Sequence, residues 1–372
     1  MAKSKKSAVQ TKASKAETVK KQKKAVAKAA VKNIDLERLI EMDLVRATEA
    51  AALNSYHWLG KGNANAAHES AVDAMRGAMD LASVSATVIF GDGLKPQAGG
   101  IQTDERLGNW IEGAPKMDFA AVPIDGLDLV ARGYWGAMSV LVAACSENNQ
   151  PALMKIPCRY MYKIAYGPAV KAGPAQLHLD ASVRDNLEIV AMKLGKRLQD
   201  LSIAVLDRDR HSTLVNDIRK AGASARLIRD GDIAACIAPS FPNTGVDVYM
   251  GTGGAAEAVM AAAAIKCIGG DMLARVAPDP KEEKQIIETL GEDVLKKQFF
   301  AHDLALSKNI VFCATGISDG SILRGVHIDG ASASTSSLVM RSRFGTIRKI
   351  KAIHDLSRKT IRLHSAGAES ML

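Results

Sequence analysis

Aromatic residues make up only 4% of this 372-residue chain. A β-sandwich core usually leans on them, so their scarcity argues for Ala- and Gly-rich helices packed closely on sheets. The five cysteines, Cys145, Cys158, Cys236, Cys267 and Cys313, are odd in number and widely spaced. None forms a Cys-x-x-Cys pair, which argues against a zinc ribbon or a disulfide framework and for a reducing compartment. No apolar run approaches the roughly 18 residues needed to span a bilayer. The longest, Ala258 to Ile265, is short and Ala-rich. The N-terminus lacks the apolar stretch of a secretory signal. A cytoplasmic protein without a membrane partner is expected.

Residues 1–33 contain no Leu, Ile, Arg or aromatic side chain, yet they hold 11 Lys and a single acid, Glu17, a net +10. The whole chain carries 49 Lys+Arg against 40 Asp+Glu. Subtracting the tail leaves 38 basic and 39 acidic residues, a net −1 for the body. A basic DNA-binding fold would carry its charge on a folded face, so the excess describes an arm. Such a segment cannot offset the entropy of ordering and is expected to be disordered when alone. It suits an arm that attracts nucleic acid or another polyanion, an organelle-targeting segment, or a plain solvated tail. Transit peptides favour Arg, and its absence weighs against targeting.

From Ile34 the pattern changes. Leu36, Leu39, Ile40 and Leu44 recur at helical spacing and predict a helix reaching about Trp58; a second is expected from about Ala66 to Leu81. Strand-like runs follow at Ala86–Phe90, Phe119–Val122 and Met138–Ala144. The second half alternates: strand Leu201–Leu206, helix His211–Ala221, strand Ala225–Ile228, helix Asp232–Ala238, strand Val246–Met250 and helix Ala255–Ile268. This order predicts an α/β layered fold. The chain divides into the tail (1–33), an N-terminal half (34–180) and a C-terminal α/β half (181–372).

Polar clusters sit where these strands end, and in open α/β sheets ligands gather there. Gly251-Thr252-Gly253-Gly254 follows a strand and opens a helix. It suits a phosphate or sugar site at a helix start, or close helix–strand packing. Glu257, in that helix's first turn, suits a metal ligand or simple dipole placement. Asp207-Arg208-Asp209-Arg210-His211 suits two arginines forking onto a phosphate, or a self-paired charge run. Asp230-Gly231-Asp232 suits sugar hydroxyls or a cation, or a helix N-cap. Asp92 and Asp125, each at a strand end, suit Mg²⁺ or Mn²⁺, or ordinary Asp-Gly turns.

Together these segments resemble the class II fructose-1,6-bisphosphatases across about residues 36–355. The match includes Arg46-Ala47-Thr48-Glu49-Ala50-Ala51-Ala52-Leu53, Trp58-Leu59-Gly60-Lys61-Gly62 and Ala71-Val72-Asp73-Ala74-Met75-Arg76. It continues through Arg208–His211, Asp230-Gly231-Asp232, Gly253-Gly254-Ala255-Ala256-Glu257, Ala314-Thr315-Gly316-Ile317 and Arg341–His354. The resemblance implies a layered α/β sugar-phosphatase sandwich, a homo-oligomer, and Mg²⁺- or Mn²⁺-dependent hydrolysis of the 1-phosphate of fructose 1,6-bisphosphate. Carried over residue by residue, it implies substrate contacts at Asp125, Gly126, Tyr160, Arg208, Arg210, Asp230, Asp232 and Gly254. It implies metal ligands at Asp92, Asp125 and Glu257.

The first half departs from the family pattern. Asn63 stands where the family has Asp, and Asp92 where it has Glu. The motif Asp-Pro-Ile-Glu-Gly-Thr reads Val122-Pro123-Ile124-Asp125-Gly126-Leu127. Val122 has no ligand atom, Leu127 replaces the threonine that orients the attacking water, and Pro96 replaces a further acid. Asp→Asn and Asp→Val remove two negative charges from one cation site. Nearby acids Asp128, Asp104 and Glu69 have no spacing that marks them as substitutes. The resulting expectation is a homologue that binds fructose 1,6-bisphosphate or fructose 6-phosphate with catalysis impaired or lost. The alternative is a non-catalytic structural or regulatory protein that associates with polyanions through its tail.

Overall fold

In the computed structural model, residues 36–91, 99–146, 150–366 and 368–371 are described. The Lys-rich tail, Asp92 and Pro96 lie outside them. By contacts the chain separates into two units, 1–39 and 40–372. Of the first, only the opening turn of helix α1 (Leu36–Tyr56) is described.

The second unit holds the fold. In chain order come α2 (Ala64–Met79), β1 (Ser85–Phe90), β2 (Arg106–Leu107), β3 (Lys116–Asp125), α3 (Leu127–Arg132), β4 (Met138–Cys145) and β5 (Tyr160–Tyr166). Next are α4 (Val183–Leu194), β6 (Ser202–Leu206), α5 (Ser212–Ala221), β7 (Ser224–Ile228), α6 (Asp232–Ile237), β8 (Val248–Gly254), α7 (Ala255–Ile268) and β9 (Asp271–Val276). The chain ends with β10 (Phe299–Phe300), β11 (Ile310–Gly316), β12 (His327–Asp329), β13 (Ser332–Arg341), β14 (Thr346–Asp355) and the hairpin β15 (Thr360–Leu363) and β16 (Ala368–Met371).

Two mixed sheets organise these elements. The first runs β12-β13-β11-β4-β3-β1-β2, with β14 on β13; the second runs β10-β9-β5-β8-β6-β7. Helices α6 and α7 lie between them. One core joins Val122, Val140, Val142, Ala314 and Leu338 of the first sheet to Met161, Ala165, Tyr249 and Met272 of the second through these helices. Ten of the 14 residues of α7 are buried, which is why this helix is apolar all round. Its alanines let both sheets approach closely, and so account for the low aromatic content.

The outer faces are also covered. Ile164, Ile203, Val205, Val248 and Met250 of the second sheet pack on Leu187 and Val190 of α4 and on Val215 and Ile218 of α5. On the first sheet, Thr48 of α1 bonds Thr315 of β11 at 2.8 Å. The result is the layered α/β sandwich that the resemblance implies.

The expected elements are found, shifted at their ends by a few residues. One reading is corrected. Gly251–Gly254 form no loop: β8 continues through them and pairs residue by residue with Tyr160–Lys163 of β5. Strands β5, β9, β11, β13 and β14 carry no mark in the expectation above.

Candidate functional site

The candidate site forms where β3, β6, β7 and β8 end and α3, α6 and α7 begin. In β3 the register with β4 slips by one residue between Val122 and Asp125. This bulge spans Pro123, and β1 stops pairing with β3 at Ala120, so the missing proline N–H breaks no ladder there. The bulge turns Asp125 toward α6, where its Oδ2 accepts from the Ala234 N–H at 3.2 Å.

Asp232 is buried and held on both carboxylate oxygens. Its Oδ2 accepts from the ammonium of Lys163, in the middle of β5. Its Oδ1 accepts from the Tyr249 hydroxyl at 2.6 Å. A Cβ on Gly253 would fall 2.1 Å from Asp232 Oδ2, so only glycine lets β8 pass over this carboxylate. The N-cap reading of Asp230 and Asp232 is overturned. Gly231 caps α6 without a side-chain bond. Asp232 faces its buried cation instead, and Asp230 Oδ2 accepts from the Asp128 N–H at 3.4 Å.

The cationic side follows β6. Arg210 Nε and Nη2 donate to the Thr252 carbonyl at 3.2 and 2.9 Å. Its guanidinium lies 4.9 Å from the ring centre of Tyr160, itself paired with Gly254 across β5 and β8. Arg208 Nη1 donates to the Asp207 carbonyl at 2.9 Å. Both guanidinium groups remain exposed. The self-paired reading of this run therefore fails: the arginines bond backbone carbonyls, not Asp207 or Asp209 side chains.

The electrostatics are those of a crowded acidic cluster around one buried cation. Burial, then repulsion from Asp230 and Asp232, pushes the Asp125 carboxyl well above the usual range. Burial and then Asp232 raise Glu257, with Lys163 opposing. Burial also raises Asp230. Burial alone would lower Lys163, but Asp232 with its other acidic neighbours holds it above an ordinary lysine.

The metal-side positions differ in kind. Asn63 caps α2: its Oδ1 accepts from the Ala66 N–H at 3.0 Å. Its loop docks on α3, with Gly60 and Gly62 N–H groups donating to the Val130 and Ala131 carbonyls at 2.8 Å. Val122 is buried in the core between the sheets, opposite Val140. Leu127 opens α3 and is half-buried. Of the nearby acids, Asp128 is paired with Arg132 at 2.7 Å and Asp104 with Lys155 at 3.1 Å. Glu69 lines a separate groove of about 540 Å³ beside α2 and β15.

A hard divalent ion needs several converging oxygen ligands. Among the described residues, no group of three or more His, Cys, Asp or Glu side chains is arranged to hold one. Asp232 and Asp230 already have partners of their own. The described residues therefore do not make a cage for the ion.

Sequence reasoning passed over Lys163 and Tyr249, which hold Asp232. A lysine inside an otherwise apolar five-residue stretch, Met161 to Ala165, was the available signal. No helix among the described residues is long and apolar enough to cross a membrane.

Comparison with known proteins places the chain in a family. Residues 38–354 match the family described as bacterial fructose-1,6-bisphosphatase, glpX-encoded. A Fructose-1,6-bisphosphatase class 2 of Haemophilus influenzae is 37% identical over 337 residues, covering 86% of this chain and 97% of the relative. Two proteins of Synechococcus sp. (strains JA-3-3Ab and JA-2-3B'a(2-13)), each named D-fructose 1,6-bisphosphatase class 2/sedoheptulose 1,7-bisphosphatase, are 33% identical over 341 residues. They cover 86% of this chain and 96% of their own lengths. The family consists of hydrolases of carbohydrate metabolism and gluconeogenesis that bind a sugar phosphate and use a divalent metal. A match of this length means that the chain belongs to the class 2 fructose-1,6-bisphosphatase family.

Proposed function

We propose that this chain keeps the sugar-phosphate half of the family site and has lost most or all of the metal-dependent half. It binds fructose 1,6-bisphosphate or fructose 6-phosphate through Tyr160, Arg208, Arg210, Asp230 and Gly254, with Asp232 holding the Asp230 turn from within and Asp125 and Gly126 at the edge of the same pocket. Hydrolysis of the 1-phosphate is slow or absent. The observation that carries this reading is Val122: a buried aliphatic core residue occupies the position of a family acid. Asn63 and Leu127 weaken the same half. Asp92 and Glu257 are the remaining family acids for Mg²⁺ or Mn²⁺, together with Asp125. Without a tightly held ion, neither the attacking water nor the phosphoryl oxygens are activated.

The supporting observation on the binding half is Arg210, exposed and oriented by Thr252 and Tyr160. A guanidinium held this way presents its remaining N–H groups as a preformed anion clamp.

Two measurements test the reading. Phosphate release from fructose 1,6-bisphosphate with Mn²⁺ should fall at least about a hundredfold below that of the Haemophilus relative, equal to about 2.7 kcal/mol of transition-state stabilisation. An equal rate overturns the catalytic half of the proposal. Fructose 6-phosphate should raise the melting temperature, and Arg210→Ala should abolish the rise. A melting curve unmoved by millimolar ligand overturns the binding half.

A further inference from the structure

The N–H and C=O of Thr252 are held by two consecutive side chains. Arg210 donates to its carbonyl at 2.9 Å. His211 Nε2 accepts its N–H at 2.8 Å. The reason lies in the sheet. β6 pairs with β8 only at Val248 and Tyr249. Beyond Tyr249, among the described residues, no strand pairs with that edge of β8. The residues that follow β6 take over the vacant main-chain groups.

Because a peptide N–H can only donate, Nε2 of His211 must carry a lone pair. The imidazole is then neutral, with its proton on Nδ1, and Nδ1 donates to the Leu206 carbonyl at 2.7 Å. Both ring nitrogens are thus assigned. The ring is buried, with 3% of its surface exposed. It fits because residue 251 is glycine: at φ 148° a Cβ there would lie 3.2 Å from Cε1 and Nε2.

We propose that His211 is a positioning residue for Arg210: its Nε2 lone pair fixes the N–H of Thr252, and the carbonyl of that same residue in turn aims the guanidinium at the ligand's phosphate. The proposal rests on the reading that Arg210 binds that phosphate. Protonating His211 replaces the lone pair with a second N–H facing the Thr252 N–H, and the anchor for Arg210 is lost. The charged groups facing the ring are Arg208 and Arg210 on its own turn and Asp232 from α6. The Tyr249 hydroxyl of β8, close to the Gly251 backbone, is engaged by Asp232. Burial keeps the ring below an ordinary histidine; the Leu206 carbonyl opposes this, Arg210 adds to it, Asp232 opposes it and Arg208 adds to it.

The test is calorimetric binding of fructose 6-phosphate to the full chain at about pH 7.5 and about pH 5, comparing wild type with His211→Gln and His211→Phe. The Gln amide oxygen accepts the Thr252 N–H at any pH, whereas Phe fills the space without an acceptor. The ligand's own phosphate titrates near pH 6 in every arm, so the variants share that dependence. Wild-type affinity should weaken at least about threefold more than that of His211→Gln between the two pH values. His211→Phe should bind at least about tenfold more weakly at the higher pH, with its melting transition retained. Equal pH dependence in wild type and His211→Gln overturns the proposal alone. Absence of wild-type binding at either pH overturns the binding function and this proposal with it. Should the Phe variant fail to fold, the comparison of wild type with Gln decides.

Discussion

Lys163 and Asp232 form an ion pair closed off from water: the lysine side chain is fully buried and the aspartate 8% exposed. Lys163 comes from the centre of β5 and Asp232 from the first turn of α6, so the pair ties the second sheet to the helix layer between the sheets. The Tyr249 hydroxyl occupies the other carboxylate oxygen. The pair sets the orientation of the Asp230-Gly231-Asp232 turn, and with it one wall of the candidate site.

Breaking this pair from one side should be costly. Lys163→Met leaves a buried carboxylate with no cation, and removal of one partner of a buried pair costs about 3–5 kcal/mol. Denaturant unfolding should show a loss of that order. Lys163→Met combined with Asp232→Asn should recover much of it, because the uncompensated charge is gone. A single variant as stable as wild type would refute the role given to the pair.

Gly253→Ala tests the close approach of β8 to Asp232. The new methyl would sit 2.1 Å from Oδ2, and the carboxylate cannot turn away while Lys163 and Tyr249 hold it. Overpacking of this kind costs about 1–3 kcal/mol, and melting should fall accordingly. In the Asp232→Ala background the penalty of Gly253→Ala should shrink toward zero, and a penalty unchanged there would contradict the contact.

Helix α1 is tied to the far edge of the first sheet by a titratable relay. Thr335 Oγ1 donates to Glu49 Oε1 at 3.1 Å, and its oxygen lies 2.9 Å from His354 Nε2. Burial and then Lys359 lower His354 below an ordinary histidine. Its contribution to stability is therefore present above the unfolded value of about 6.5 and is lost as pH falls through the lower folded value. Burial raises Glu49 despite its bond from Thr335. That contribution is full below about pH 4.3 and is lost as pH rises through the raised value. Chemical unfolding between about pH 7 and pH 5 should thus decline less in His354→Gln than in wild type. Glu49→Gln should gain stability relative to wild type toward higher pH. Parallel pH profiles for all three proteins would exclude this relay.

The α/β order was legible because most helices and strands of the second half carry their own periodicity and end in Gly or Asp turns. Ser202–Leu206, Ser224–Ile228 and Ala255–Ile268 agree with expectation within a residue or two. Strands β5, β9 and β11 were not legible. Their runs are short and mostly buried on both faces, so neither period 2 nor period 3.6 marks them.

The candidate site was legible as residue types and illegible as geometry. Asn63, Val122 and Leu127 stood out because chemistry forbids a valine or a leucine from ligating a cation, whatever the fold. By contrast, Asp232 read as a sugar or cation contact or as a helix cap. Its true partner, Lys163, is 69 positions earlier in the chain, and no local pattern reports a contact across that separation.

The sequence by itself determined the separation of a Lys-rich arm from a near-neutral body, the alternation of strands and helices, and the lack of an acidic side chain at Asn63 and Val122. Each of these depends on local composition or on side-chain identity alone. Only the tertiary structure decided that Gly251–Gly254 form a strand, that Asp232 points inward, and that Arg210 and His211 hold the backbone of one residue, Thr252. Those outcomes follow from the pairing of β5 with β8 and from the pairing of β6 with β8 stopping at Tyr249. Pairing between distant strands is set by packing across the whole sandwich, and the residues it brings together carry no mark of one another in the chain.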